Sequence, residues 1–487
     1  MFRDPFYKLV AKILGLIVAT VLLCRWTWGY GLVVVPVAVL YFALTAKTGA
    51  LIMTSMILPL LVVINPILMP RTAVFAQIVR LSAIFVQLIL IFSGAARGGG
   101  NRQLPLGGLL PYLIVAFISS TTGYFPMISY LKIINFLIFL LSIYLGTRNM
   151  DYDPNDMHIV RAGLLAFSIM MIYGSLLTLP FPSIAYYTSL KKAVGEYGAA
   201  YVDYMYSGAE EGKMLFSGIT LHSQFLGPAL AVVGAWVLLD LFFIEKGMSK
   251  LHFALLAPLP VMLYMTRSRI GLFTMVVAFS TMLFYCFPRM RIALRLKTMA
   301  ISFLTIIIVV ILAVGVIAEV NGGYVSKWVR KTDNVKQDDR AMTAAITDSR
   351  QGAINLCMRD FQRNRFLGMG FQVVEGHRQL YDEGRINLFS APIEKGVLPI
   401  MILGETGILG EFFFAIFLLL FFSGCAMRGY YASSTMFAVF LATNMAEATF
   451  FSPGGGGGFE WMVCVIGGFV IDLSITHLDG KQGVCHV

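Results

Sequence analysis

Ser390–Phe412 reads SAPIEKGVLPIMILGETGILGEF. From Leu398 onward it is apolar enough to open a membrane span, yet Glu394 and Lys395 stand just before the apolar run and Glu405 and Glu411 fall inside it. A charge at membrane depth costs about 3 kcal/mol on insertion scales. The stretch therefore decides between a plain hydrophobic anchor and a bundle of helices with polar work to do.

The rest of the chain supplies the class. Of 487 residues, 58% are hydrophobic and only 13% charged, with a mean hydropathy of +0.79. A soluble domain carries roughly a quarter charged residues. Lipid admits only helices or a closed barrel. The apolar runs are continuous over about 17–22 residues rather than alternating, which selects helices. The expected fold is an all-α integral membrane protein. The net charge of +11 suits anchoring to anionic lipid first and attraction of an anionic substrate second. The basic residues are scattered among spans, so nucleic acid is excluded as a partner. Six dispersed cysteines without a CxxC pair indicate neither a zinc site nor a disulfide framework. Arg3 and Lys8 precede the first apolar stretch without a small-residue cleavage site, which reads as an uncleaved first span.

Windows of span length divide the chain into about 14 candidate helices, with about 12–14 compatible with the pattern. They cover 8–24, 28–45, 49–68, 73–93, 108–122, 126–146, 161–180, 219–243, 251–265, 269–287, 297–318, 398–423, 433–451 and 459–475. Basic residues in short loops orient them. AARGGGNR, EKGMSK, PRMRIALRLK and CAMRGYY fall on one side, which the positive-inside rule makes cytoplasmic, together with both termini. Three regions result. Residues 1–318 hold helices one to eleven with a Tyr-rich outer loop at 181–218, residues 319–397 form one large outer loop domain, and residues 398–487 hold the last three helices and a short tail. Within the loop domain, DSRQGAINLCMRDFQRN reads as an amphipathic helix.

The awkward charges gather on the outer side. Arg80 lies on the order of 10 Å into the fourth span at 1.5 Å per residue. Lys132 is two turns into the sixth, His222 opens the eighth, Glu447 is near the end of the thirteenth, and Arg267 and Arg269 share a short outer loop. Arg25, Arg71 and Lys132 either snorkel to headgroups or line a site. The glycine run of SPGGGGGFEW (452–461) is either a loose turn or a place where backbone approaches a ligand. The DxD of MDYDP (150–154), which can hold a divalent metal in other glycosyltransferases, lies on the cytoplasmic side without a nucleotide-binding domain around it.

Three stretches carry a resemblance. MTRSRIGL (265–272) resembles the SR-G element of the O-antigen ligase and O-antigen polymerase superfamily. RQGAINLCMRDFQRNRFLGMGF (350–371) resembles its outer-loop helix and N-P-x-x-G-x-G turn, and LPIMILGETGILG (398–410) its L-x-x-x-E-x-G-x-x-G return into the membrane. The order matches over the last half of the chain. The resemblance implies a bacterial plasma-membrane glycosyltransferase that needs neither metal nor cofactor and works at the periplasmic face. Its donor would be a glycan on a polyprenyl diphosphate and its acceptor lipid A core or another glycan, with other polysaccharide-assembly proteins as possible partners. The chain departs from the family where a loop histidine is usual, since Lys395–Val397 contains none, and NRF stands for NP.

The chemistry of such a transfer asks for cations on the leaving diphosphate and a base for the acceptor hydroxyl. Arg267, Arg269, Arg350, Arg80 and Lys395 are the candidate diphosphate ligands. Glu394 is the first candidate base, with His377 and His222 in reserve, and Glu405 is read as structural. A transporter of lipid-linked oligosaccharide is the alternative reading.

Overall fold

A computed structural model describes residues 4–27, 41–42, 45, 47–65, 67–69, 73–96, 102–151, 153–186, 215–221, 223–245, 249–289, 354–373, 397–445 and 448–481. Among these residues the fold is all-helical, with a lone bridge between Ile64 and Thr220. In chain order the helices are α1 (Pro5–Trp26), α2 (Thr48–Val63), α3 (Ala73–Ala96), α4 (Leu106–Leu109 continuing into Leu110–Thr121), α5 (Pro126–Met150) and α6 (Pro154–Ile169 with a wide turn to Gly174). Then come α7 (Ser223–Phe243), α8 (Lys250–Leu256 and Leu259–Met265), α9 (Arg269–Arg289), α10 (354–363), α11 (Leu398–Arg428), α12 (Tyr431–Asn444) and α13 (Gly455–Trp461 through Gly467–Lys481).

Six of these are long and apolar enough to cross a membrane, and five shorter apolar helices accompany them. The chain is a multi-pass helical membrane protein. Twelve of the expected helices fall on described residues and are helical. The expected helix 297–318 and most of 28–45 and of the loop domain 319–397 lie outside them.

Local chemistry sets the boundaries. Asp4 caps α1 by accepting from the Phe6 amide at 2.9 Å, with Pro5 in the first turn. Asp153 does the same for α6 through the Asn155 amide at 2.8 Å. That cap, with Pro154 behind it, starts α6 seven residues before the expected 161. Gly429 ends α11 in the left-handed region at φ 71°. The DxD is thereby explained structurally: Asp153 is a cap and Asp151 pairs with Arg102.

α7 and α13 form the centre, each 94% buried along its apolar window, whereas α1 is 11% buried and peripheral. α9 packs against α7 and α12, α3 against α2 and α5, α11 against α4 and α12, and α1 against α6. The glycine run belongs to the first turn of α13. Gly456 lies so close to Phe225 that a methyl would meet its ring at 2.7 Å. Bare backbone there lets a central helix enter a crowded bundle.

Alternation of the helices separates two ends. At one end the α6 start holds the α2 start, the Gly49 amide donating to Asp156 Oδ1 at 2.8 Å. There too Asp472 of α13 accepts from the Ala432 and Ser433 amides, capping α12 from a neighbouring helix. At the other end the α2 terminus pairs with 219–221, the α8 terminus with Phe216, and the loop after α4 with Met369.

Candidate functional site

The second end holds the described part of the expected site. At the α8–α9 junction Arg267 has φ 50°, a conformation that reverses the chain between two helices. Ser268 then caps α9, its Oγ accepting from the Gly271 amide at 3.2 Å. Gly271 is needed because α7 crosses there: a methyl on it would stand 2.9 Å from Gly227 O, and Gly227 in turn packs against Ser268. Serine, arginine and glycine in SRIG thus have separate jobs: a cap, a cation at the helix start and a close crossing. Arg267 and Arg269 are both half-buried, and Arg267 Nη1 is shielded from solvent.

The second element of the site is a broken helix. α11 runs 31 residues, and Gly407 interrupts it at φ 66° and ψ −164°, a region open essentially to glycine alone. Breaking a helix at membrane depth exposes amides and carbonyls that lipid cannot satisfy. Here they are satisfied by 365–370. The Gly404 and Glu405 carbonyls, which would have bonded Ile408 and Leu409, accept instead from the Met369 and Gly370 amides at 3.0 Å each. The Ile408 and Leu409 amides donate to Arg365 O at 2.9 Å and Phe366 O at 3.3 Å. Four groups freed by the break are exchanged reciprocally with four groups of a loop. Gly368 (φ 66°), Gly370 (φ 106°) and Gln372 (φ 53°) give the loop the turns this requires.

The loop is pinned on its other flanks. Lys132 is 2% exposed and donates from Nζ to Gln372 O at 3.0 Å, so it is held inside the protein and does not reach for headgroups. The Gln372 side chain donates from Nε2 to Phe451 O. Ser119 Oγ donates to Glu405 O at 2.6 Å. On α10, Asp360 accepts from the Tyr124 hydroxyl at 2.8 Å, and Arg363 donates to the same oxygen. Burial and the Asp360 carboxylate push the Tyr124 phenol up to about 12.

The expected diphosphate ligands separate. Arg267 and Arg269 stand together at one junction. Arg80 rides half-buried on α3, whose neighbours are α2 and α5, and so belongs to another wall of the bundle. Arg25 is exposed on peripheral α1. Glu394, Lys395, Arg350, His377, His222, Arg71 and Glu447 lie outside the described residues. Among the described residues no group of three His, Cys, Asp or Glu side chains is placed to hold a metal, and Cys24, Cys357, Cys425 and Cys464 are unbridged.

Sequence reasoning missed a network at the opposite end. Arg161 of α6 donates from Nε to Asp240 Oδ1 at 2.8 Å and from Nη2 to Glu245 at 2.6 Å. His252 Nε2 lies 2.8 Å from Asp240 Oδ2, its Nδ1 2.7 Å from Ser249 Oγ, and the Phe6 ring covers the guanidinium at 4.6 Å. The only sequence signal was a lone Asp240 inside an apolar run; its partners sit on other helices. No family model matches the chain, and no curated protein matches it.

Proposed function

We propose that the chain is a polyprenyl-diphosphate-dependent glycan transferase, one that polymerises surface polysaccharide or ligates it to an acceptor such as lipid A core. One observation carries the reading. The loop turn 364–373 and the return helix α11, two of the three stretches bearing the family resemblance, are interlocked by four backbone hydrogen bonds at the same end as Arg267 and Arg269. A rigid frame of this kind would hold those two stretches together at the end that carries Arg267 and Arg269, and preorganised charge is the largest single contribution an enzyme makes to such chemistry.

In this mechanism Arg267 and Arg269, with Arg350 and Lys395 as further candidates, neutralise the diphosphate as it leaves the anomeric carbon. Glu394 takes the proton of the acceptor hydroxyl, with His377 and His222 as alternatives. The new glycosidic bond forms as the bond to the carrier diphosphate breaks. No metal takes part in these steps, and the reaction belongs to the periplasmic face of a bacterial plasma membrane.

The test uses purified protein in nanodiscs with a polyprenyl-diphosphate glycan and EDTA. Turnover of donor is expected, and Arg267→Ala should lower it about 10²–10³-fold. A full rate in Arg267→Ala, or no turnover by the intact protein with any acceptor, refutes the proposal. A second reading, a transporter of lipid-linked oligosaccharide, draws on the broken α11, since transporters build sites at interrupted helices. In cells Arg267→Ala distinguishes them: donor accumulates on the outer side for a transferase and on the inner side for a transporter.

A further inference from the structure

The central helix α13 carries a carboxyl that the transfer chemistry does not use. Glu460 lies in its first turns and is 4% exposed. Its Oε2 meets two hydroxyls, Thr449 Oγ1 at 3.1 Å and Thr443 Oγ1 at 3.4 Å. A hydroxyl has one hydrogen to give. That of Thr443 lies on Phe440 O, at 2.8 Å against 3.4 Å to Glu460. Thr443 Oγ1 takes a long contact of 3.5 Å from Asn444 Nδ2, which leaves a second lone pair for Glu460. Asn444 Oδ1, fully buried in the same turn, is met by no donor. Among the described residues Thr449 alone therefore supplies the carboxyl with a hydrogen, and Thr443 presents oxygen to oxygen with none between.

The surroundings disfavour an anion. Thr443 and Asn444 form the last turn of α12, the negative end of that helix. No basic side chain among the described residues pairs with Glu460. Of the elements packed around it, α2 has no charged residue. Asp240 of α7, Arg161 of α6 and Tyr431 of α12 lie at the opposite end of the bundle. α5 brings Lys132, whose Nζ donates to Gln372 O, and Cys464 follows Glu460 one turn later. A buried carboxylate so placed costs more than a neutral acid.

We propose that Glu460 is a proton-binding site, with the proton on Oε2 donating to Thr443 Oγ1 while the same oxygen accepts from the Thr449 hydroxyl. The bound proton supplies the hydrogen that the three oxygens lack. It also clasps 449–453 onto the bundle. This segment rests on bare backbone: a methyl on Gly457 would stand 2.5 Å from Thr449 O, one on Gly458 would collide with Pro453 O, and Trp461 Nε1 donates to Phe450 O. Loss of the proton sets a bare carboxylate against the end of α12, and 449–453 lifts to let water reach it. The inference stands whether or not the chain transfers glycan.

The experiment takes the full chain in nanodiscs without glycan. At neutral pH the infrared spectrum of the intact protein should contain a protonated-carboxyl band that Glu460→Gln removes and added sodium leaves in place. Thr443→Val, which keeps Glu460 but removes the acceptor of its O–H, should move that band to higher frequency. Hydrogen exchange of 448–461, corrected for the intrinsic rate, reads the clasp. The opened carboxyl ionises at its ordinary value while the closed one keeps its proton, so opening should grow about tenfold per pH unit until the closed form ionises. Glu460→Gln, locked neutral, should show no such rise. A spectrum unchanged by Glu460→Gln, a band that sodium abolishes or that Thr443→Val leaves unmoved, or an equal pH slope in intact protein and Glu460→Gln overturns the proposal.

Discussion

Gly407 is the residue on which the site's frame depends. Its φ and ψ belong to glycine, and a methyl there would collide with the Phe366 carbonyl. Gly407→Ala is expected to destabilise the protein by about 3 kcal/mol, read as loss of thermal stability in detergent; a change within error would mean that the break is not built as described. Asp240 is the comparable residue at the opposite end. It is fully buried and accepts from Arg161 and His252, so removing it leaves the buried guanidinium with Glu245 as its remaining carboxylate. Asp240→Ala should cost about 3 kcal/mol. Adding Arg161→Met should restore part of that loss, because the under-compensated charge goes with it. A double variant less stable than the single would contradict this account.

At the scale of elements, the starts of α1, α2, α6, α9 and α12 are held by named side chains: Asp4, Asp156, Asp153, Ser268 and Asp472. Ser268 caps α9 where α7 crosses it, and Ser268→Ala should lower stability by about 1 kcal/mol, with Ser268→Thr and Ser268→Asp, which keep a capping oxygen, losing less. Chemical denaturation of the three variants checks the order. α11 was legible as a span from Leu398, but not as two half-helices. Glycine and glutamate in GETGILG mark a departure from a plain anchor without saying what receives the freed carbonyls. The receiver, 365–370, lies over thirty residues upstream and has no pairing pattern of its own.

For the whole molecule, the loop and the broken helix move as one body if their backbones are exchanged. Cysteines at positions 365 and 408, whose backbones are joined by a 2.9 Å hydrogen bond, should therefore form a disulfide readily in Arg365→Cys/Ile408→Cys. Under the proposed function the crosslinked protein keeps its turnover, because the frame is rigid during catalysis. Turnover abolished by the crosslink and restored by reductant would show instead that the loop must leave the helix, as a transporter-like cycle requires.

Composition and apolar run length were enough for the class, since lipid permits a chain this hydrophobic only helices or a closed barrel and the runs do not alternate. Spacing within SRIG and GETGILG marked where helices begin or break, because caps, left-handed turns and close crossings each demand a residue type. Which polar groups meet was decided by the tertiary structure alone. Arg267 and Arg269 are neighbours in sequence and in space, but Arg80 rides on a helix packed against other partners. Arg161, Asp240 and His252 form a buried network only when α6, α7 and α8 converge. A sequence shows how far along a helix a charge lies; only packing shows which way that helix faces and whose charge it meets.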